Sequence, residues 1–133
     1  MKADLHNHSY YSDGVLSPSQ VVKLASEAEC DLFSLTDHDT TDGIAEAQLE
    51  ANKLNLNFIN GVEISAFWRN MAIHILGLGI DINNDILQTG LEHNQKLRKE
   101  RAEKIALDLW RSGIKDALEK TQSFSKTDML TRT

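Results

Sequence analysis

Short apolar runs alternate with amphipathic stretches along this chain at about the length of one strand-plus-helix unit, the pattern of an α/β domain. Residues 3–8 read as a first strand, followed by the turn Ser12-Asp13-Gly14. A helix start comes next in Ser17-Pro18-Ser19-Gln20, with Ser17 as N-cap, Pro18 at the first helical position and Gln20 completing a capping box. Val21, Val22, Leu24, Ala25 and Ala28 give that helix one apolar face, ending near Cys30. Residues 32–36 read as a second strand, and Thr40 or Thr41 caps a second helix with Ile44, Ala47, Ala51 and Leu54 turned inward.

A third strand spans 56–64 and is interrupted by Asn60-Gly61, either a hairpin turn or, preferred, a bulge that re-aims Glu63. The fourth strand, 72–80, carries His74, and Gly77 and Gly79 loosen its far end. A long helix occupies the segment 83–113, from about Asn84 to Ser112, with Gly113 as a natural C′ residue and a densely charged centre. Residues 115–133 hold one weak helical pattern and then Ser, Thr and Lys, so the last residues are expected to be mobile. No repeat or linker divides the chain, and residues 1–133 are read as one unit.

Composition narrows the functional classes. At 133 residues, 41% hydrophobic and 26% charged, the chain is long enough to bury a core as one soluble domain. A formal net charge of -6 leaves no basic footprint for a nucleic-acid backbone, so a phosphorylated substrate must be held by local cations or metals. There is no apolar run of membrane-spanning length and no signal-peptide core at the start, and a cytoplasmic location is expected. The single cysteine, Cys30, excludes an internal disulfide and reads as a half-buried free thiol.

His6 and His8 lie two apart on the first predicted strand, so both imidazoles face one side and can serve one metal ion. Alone the pair is ambiguous, because histidine has many other roles. Asp13, in the loop that follows, adds a hard oxygen ligand. Thr36-Asp37-His38-Asp39 comes directly after the second strand, where the loops of parallel α/β folds build active sites; an acidic helix N-terminus is the plainer reading of the same run. Glu63 and His74 each sit between apolar neighbours on later strands, where a carboxylate and an imidazole are costly to bury unless paired or metal-bound. Every predicted strand thus delivers a ligand-type side chain, which points to a multinuclear site with a bridging carboxylate.

In order and spacing, Asp4-Leu5-His6-Asn7-His8-Ser9 with Ser12-Asp13-Gly14, then Thr36-Asp37-His38-Asp39, Gly61-Val62-Glu63-Ile64 and His74-Ile75-Leu76-Gly77 resemble the first motifs of the PHP (polymerase and histidinol phosphatase) family. The resemblance is closest to bacterial members acting on nucleoside 3′,5′-bisphosphates and short RNA ends. It implies the N-terminal portion of a distorted (β/α)7 barrel, with about four strands and flanking helices. It also implies a metal-dependent phosphoesterase in which a metal-bound hydroxide attacks phosphorus, with a phosphorylated nucleotide or short oligonucleotide as substrate. Up to three divalent ions are implied, manganese or zinc, with iron as a further choice. His6 and His8 would bind the first, Asp13 and His38 the second and His74 the third, with Glu63 bridging the first and third. Asp37 or Asp39 would orient ligands from outside the ion's own shell. Arg98 and Arg101, a turn apart, are candidates to grip a substrate phosphate, although a solvated charged face with Glu100 and Glu103 accounts for them equally well.

The family's later histidine and its Ser-Asp-x-His motif do not occur in this sequence, and the remaining histidine, His93, lies in the long helix. The chain therefore reads as truncated, with fewer than three metals and weak activity expected of it alone. A partial barrel leaves sheet edges open, so self-association or strand exchange is expected. Two rival readings follow: a non-catalytic metal-binding fragment or interaction module, and a metal-dependent amidohydrolase. The latter normally needs a carboxylated lysine, and no lysine ends a predicted strand.

Overall fold

The computed structural model describes residues 1–127 and Leu130. Its elements are β1 (Ala3–Asp4), α1 (Pro18–Glu27), β2 (Leu32–Phe33), α2 (Ile44–Lys53), β3 (Asn57–Phe58), β4 (Gly61–Trp68), β5 (Met71–Leu78), α3 (Asp85–Arg111) and α4 (Ala117–Phe124). Strands β1, β2 and β3 pair in that order as a parallel sheet, and β4 and β5 form an antiparallel hairpin. The result is an α/β arrangement that matches part of a (β/α) barrel.

Local signals work best at α1. Ser17 Oγ accepts from the Gln20 N–H at 3.2 Å, while Gln20 Oε1 accepts from the Ser17 N–H at 2.9 Å, so the capping box forms with Pro18 in the first turn. Val22 and Ala25 of α1, Ala47 and Ala51 of α2, and Phe33, Leu35 and Leu56 make one apolar core, with Cys30 packed partly against it. The fully buried Phe33 side chain alone contributes about 1.5–3 kcal/mol of transfer free energy. Helix α3 is different: Leu91 is its one buried residue among those described, and Asn84 caps its start by accepting from the Leu87 N–H at 3.0 Å. Gly113 follows its end with φ 91, the left-handed geometry a helix stop uses.

Several expectations need correction. The first two strands are shorter than 3–8 and 32–36, because side chains interrupt the ladder: Asn7 Nδ2 donates to Ser34 O at 3.3 Å and Thr36 Oγ1 accepts from the Asn7 N–H at 3.1 Å. Neither Thr40 nor Thr41 caps α2. Its N-cap is Gly43, while Thr40 Oγ1 accepts from the Asp42 N–H and Thr41 Oγ1 accepts from Gln88 Nε2. Leu54 falls beyond α2 and stays partly exposed. Asn60-Gly61 is neither a bulge nor a hairpin turn: it is the passage from β3 in one sheet to β4 in the other, with Asn60 O accepting from the Gly79 N–H at 2.8 Å. The fourth predicted strand is antiparallel to its neighbour, reversed through Arg69 and Asn70 with φ 46 and 64, as a tight two-residue hairpin requires. The expected mobility of the final residues falls on 128, 129 and 131–133, outside the described residues.

Candidate metal centre

Four imidazoles from three parts of the sequence meet around one carboxylate, Glu63. Glu63 Oε2 lies 2.8 Å from His6 Nε2, 3.1 Å from His8 Nε2 and 3.6 Å from His38 Nδ1, and Glu63 Oε1 lies 2.8 Å from His74 Nδ1. Asp13 closes the other side, 3.4 Å from His8 Nδ1 and 3.4 Å from His38 Nε2. The His8 and His38 rings stack with centroids 4.7 Å apart, and His74 meets His38 edge-on at 4.8 Å. Three groups have ligand atoms close enough to share an ion: His6, His8 and Glu63; His8, Asp13 and His38; and His38, Glu63 and His74.

Backbone pairing sets these positions. His6 and His8 lie beyond the end of β1, in a loop pinned by Asp37: its Oδ1 accepts from the Ser9 N–H at 2.7 Å and Ser12 Oγ at 2.6 Å, and its Oδ2 accepts from Ser9 Oγ at 2.6 Å. His38 forms an isolated parallel bridge with Glu63, which links the first sheet's loops to the hairpin. His74 stands opposite Ser65 in the β4–β5 register, which makes Glu63 its diagonal neighbour on the same face.

Burial and charge act against each other here. Burial pushes the Glu63 carboxyl up, but the hydrogen bond from His6 and the nearby His38, His6 and His8 outweigh it, so the group is held below its ordinary value and ionised. Burial is the largest influence on His38 and lowers it; Glu63 and Asp13 pull upward without reversing the shift, and His8 and Arg98 lower it further. A neutral imidazole is the ligand-competent form. His38 Nδ1 is buried with no hydrogen-bond partner, although it sits 3.6 Å from a carboxylate oxygen. An orphaned ring nitrogen beside imidazole and carboxylate donors fits a divalent metal ion.

The six expected ligands, His6, His8, Asp13, His38, Glu63 and His74, are therefore brought together. The other expectations fare differently. Asp37 contacts no imidazole and instead organises the Ser9–Ser12 loop, and Asp39 pairs with Arg98, Nε to Oδ2 at 2.7 Å, rather than with a histidine ring. Arg98 also donates from Nη2 to Ser65 Oγ at 2.7 Å, so a two-pronged grip on a phosphate through Nε and Nη2 is already made to protein. Arg98 and Arg101 nevertheless line one cavity with Asp13, His38 and His74. His93 is exposed on α3 and joins none of the ligand groups among the described residues. Nothing in the sequence assigns a role to Ser9, Ser12 or Ser65, and the one signal for Asn94 and Gln95 is an uncharged pair beside the charged run of α3.

Two sheets meeting at a cluster of imidazoles and carboxylates define a metal-binding α/β partial barrel. The chain belongs to the PHP domain family, whose family model matches residues 4–122. It is 42% identical over 131 residues to the 5′-3′ exoribonuclease Rnm of Escherichia coli (strain K12), covering 97% of this chain and 45% of that protein. It is 39% identical over 131 residues to the 3′,5′-nucleoside bisphosphate phosphatase of Chromobacterium violaceum, covering 98% of this chain and 46% of that one. A solved structure of an amidohydrolase from Chromobacterium violaceum, with bound sulfate and no metal, matches with a TM-score of 0.92 and 38% identity over 99% of this chain and 47% of that chain. This chain thus spans less than half the length of each of these relatives.

Proposed function

We propose that the chain carries the ligand half of a metal-dependent phosphoesterase acting on phosphate esters of nucleotides or short RNA ends. One observation carries this reading: a cavity of ≈ 380 Å³ beside the centre is walled by Asp13, His38 and His74 together with Arg98 and Arg101. Guanidinium groups beside a metal centre suit a phosphoryl group, whose charge both can neutralise. The names of the curated relatives, an exoribonuclease and a bisphosphate phosphatase, support the same substrate class.

Manganese, zinc or iron held by His6, His8 and Glu63, by His8, Asp13 and His38, or by His38, Glu63 and His74 would lower the pKa of a water and neutralise phosphoryl charge. Arg101 and the remaining charge of Arg98 would orient the phosphate on the cavity wall. His8 and His38 each serve two groups through opposite ring nitrogens, and a neutral ring has one lone pair free, so fewer than three ions are expected per chain. No lysine lines the cavity among the described residues, which argues against amidohydrolase chemistry through a carboxylated lysine.

Self-association belongs to the same reading. Among the described residues β5 pairs on one side alone, and Ile73, Ile75, Trp68 and Met71 are exposed on the hairpin face turned away from Glu63. A second copy could pair with the free edge of β5, and packing of another copy against that face would cover these side chains. The test is elemental analysis and light scattering of the purified chain, with hydrolysis of a nucleoside 3′,5′-bisphosphate in added manganese. Metal bound with slow turnover supports the proposal. Metal bound with no turnover of any phosphate ester favours the non-catalytic module, and no metal bound overturns both.

A further inference from the structure

Three side chains from one turn and its neighbour on α3 converge on a single residue next to the metal centre. Asn94 Nδ2 donates to Asp39 Oδ1 at 2.9 Å and to Ser65 O at 2.8 Å, Gln95 Nε2 donates to Asp39 O at 2.8 Å, and Arg98 donates from Nε to Asp39 Oδ2 and from Nη2 to Ser65 Oγ, each at 2.7 Å. Ser65 completes the ring, its N–H donating to Asp39 Oδ1 at 2.8 Å. Asp39 is fully buried and has φ 54, a left-handed geometry that side-chain-bearing residues adopt only when their surroundings hold them there.

The consequence lies on either side of Asp39. Its N–H donates to Glu63 O at 2.9 Å, and its chain neighbour is His38, so the backbone turn at Asp39 sets both the imidazole and the carboxylate strand. Helix α3 has Leu91 as its one buried residue, so this polar grip is a principal tie between the helix and the centre. We infer that Asn94, Gln95 and Arg98 are positioning residues that hold Asp39 in its left-handed turn and thereby fix the His38 imidazole against Glu63 and Asp13. They act through the backbone rather than by hydrogen bonding to the ligand ring. This inference rests on the metal-centre reading above.

A thermodynamic cycle separates positioning from simple anchoring of the helix. Mn2+ affinity is measured by calorimetry for the parent chain, Asn94→Ala, Arg98→Ala and Arg98→Lys, and for the two alanine variants combined with His38→Ala. Circular dichroism of the metal-free proteins reports the fold. Asn94→Ala and Arg98→Ala are expected to weaken binding about 10- to 100-fold, the usual effect of losing support behind a ligand. In the His38→Ala background the same changes should have almost no effect, because the positioned group is gone. Arg98→Lys should recover part of the loss, restoring the charge beside Asp39 without the second prong to Ser65. If Arg98→Ala does not fold, Asn94→Ala alone decides, since it removes two hydrogen bonds and no charged side chain. Equal losses with and without His38, or none in either, would overturn the inference while leaving the metal centre standing. No Mn2+ binding by the parent would overturn both.

Discussion

His38 and Glu63 face each other across a single parallel bridge, fastened by the Asp39 N–H to Glu63 O at 2.9 Å and by the Glu63 N–H to Asp37 O at 3.2 Å. The bridge brings an imidazole from one sheet's loops to a carboxylate on the other sheet. Metal-binding geometry is therefore built by main-chain pairing before any ion arrives, which lowers the ordering that binding must impose.

Glu63→Gln should be the most damaging single ligand change. Glu63 belongs to two of the three ligand groups and touches four imidazoles, and an amide is a neutral, weaker ligand of similar shape. The loss of Mn2+ affinity should exceed the roughly 10- to 100-fold typical of outer partners. Calorimetry on a variant with unchanged far-ultraviolet circular dichroism checks this.

His38→Ala should lower metal content more than His6→Ala. His38 is buried, 10% exposed at its side chain, and serves two groups, whereas His6 is 52% exposed and serves one. Metal analysis after dialysis against equal free Zn2+ should rank the parent above His6→Ala and His6→Ala above His38→Ala.

The Asp39–Arg98 pair should shape the acid stability of the metal-free chain. Burial pushes Asp39 up, but hydrogen bonds from Ser65, Arg98 and Asn94 outweigh it and hold the carboxyl below its ordinary 3.8. A lowered folded value means that the stabilisation is complete above 3.8 and is lost as pH falls through the folded value. Asp39→Ala leaves Arg98 without its partner carboxylate and should destabilise the chain at neutral pH by about 3–5 kcal/mol. Urea unfolding at neutral and acid pH should show that gap narrowing as the pH drops below 3.8.

Gly61→Ala should destabilise the passage between the two sheets. A Cβ there would run into Ser34 Oγ, come within 2.7 Å of Thr36 Cγ2 and within 3.0 Å of Leu35 O. Overpacking of this kind costs about 1–3 kcal/mol. Thermal unfolding of the metal-free variant measures it, and the His38–Glu63 bridge next to it predicts weaker metal binding as well.

Much of the centre is legible in the chain, though not always through the geometry that residue spacing suggests. The spacing of His6 and His8 predicts one face of a strand; they lie in a loop past β1, and they meet because Asp37 pins that loop and Glu63 faces it. The capping box of α1 was readable because its donors and acceptors lie three residues apart. The cap of α2 was not, because Thr41 Oγ1 is taken by Gln88 from a distant helix. Likewise the direction of β5 hangs on Arg69 and Asn70, a turn without the glycine that usually announces one.

What the amino-acid order determined by itself was chemistry and local form: which residues are hard ligands, where helices begin and end, and that apolar runs need partners. Those follow from side-chain composition and from hydrogen bonds that span a few residues. Only the tertiary structure decided that Asp39 answers to Arg98, 59 positions away, instead of to an imidazole, and that one carboxylate on β4 gathers four histidines. A buried charge takes whichever partners the packing brings within reach, and that depends on how sheets and helices meet in space rather than on neighbours in the chain.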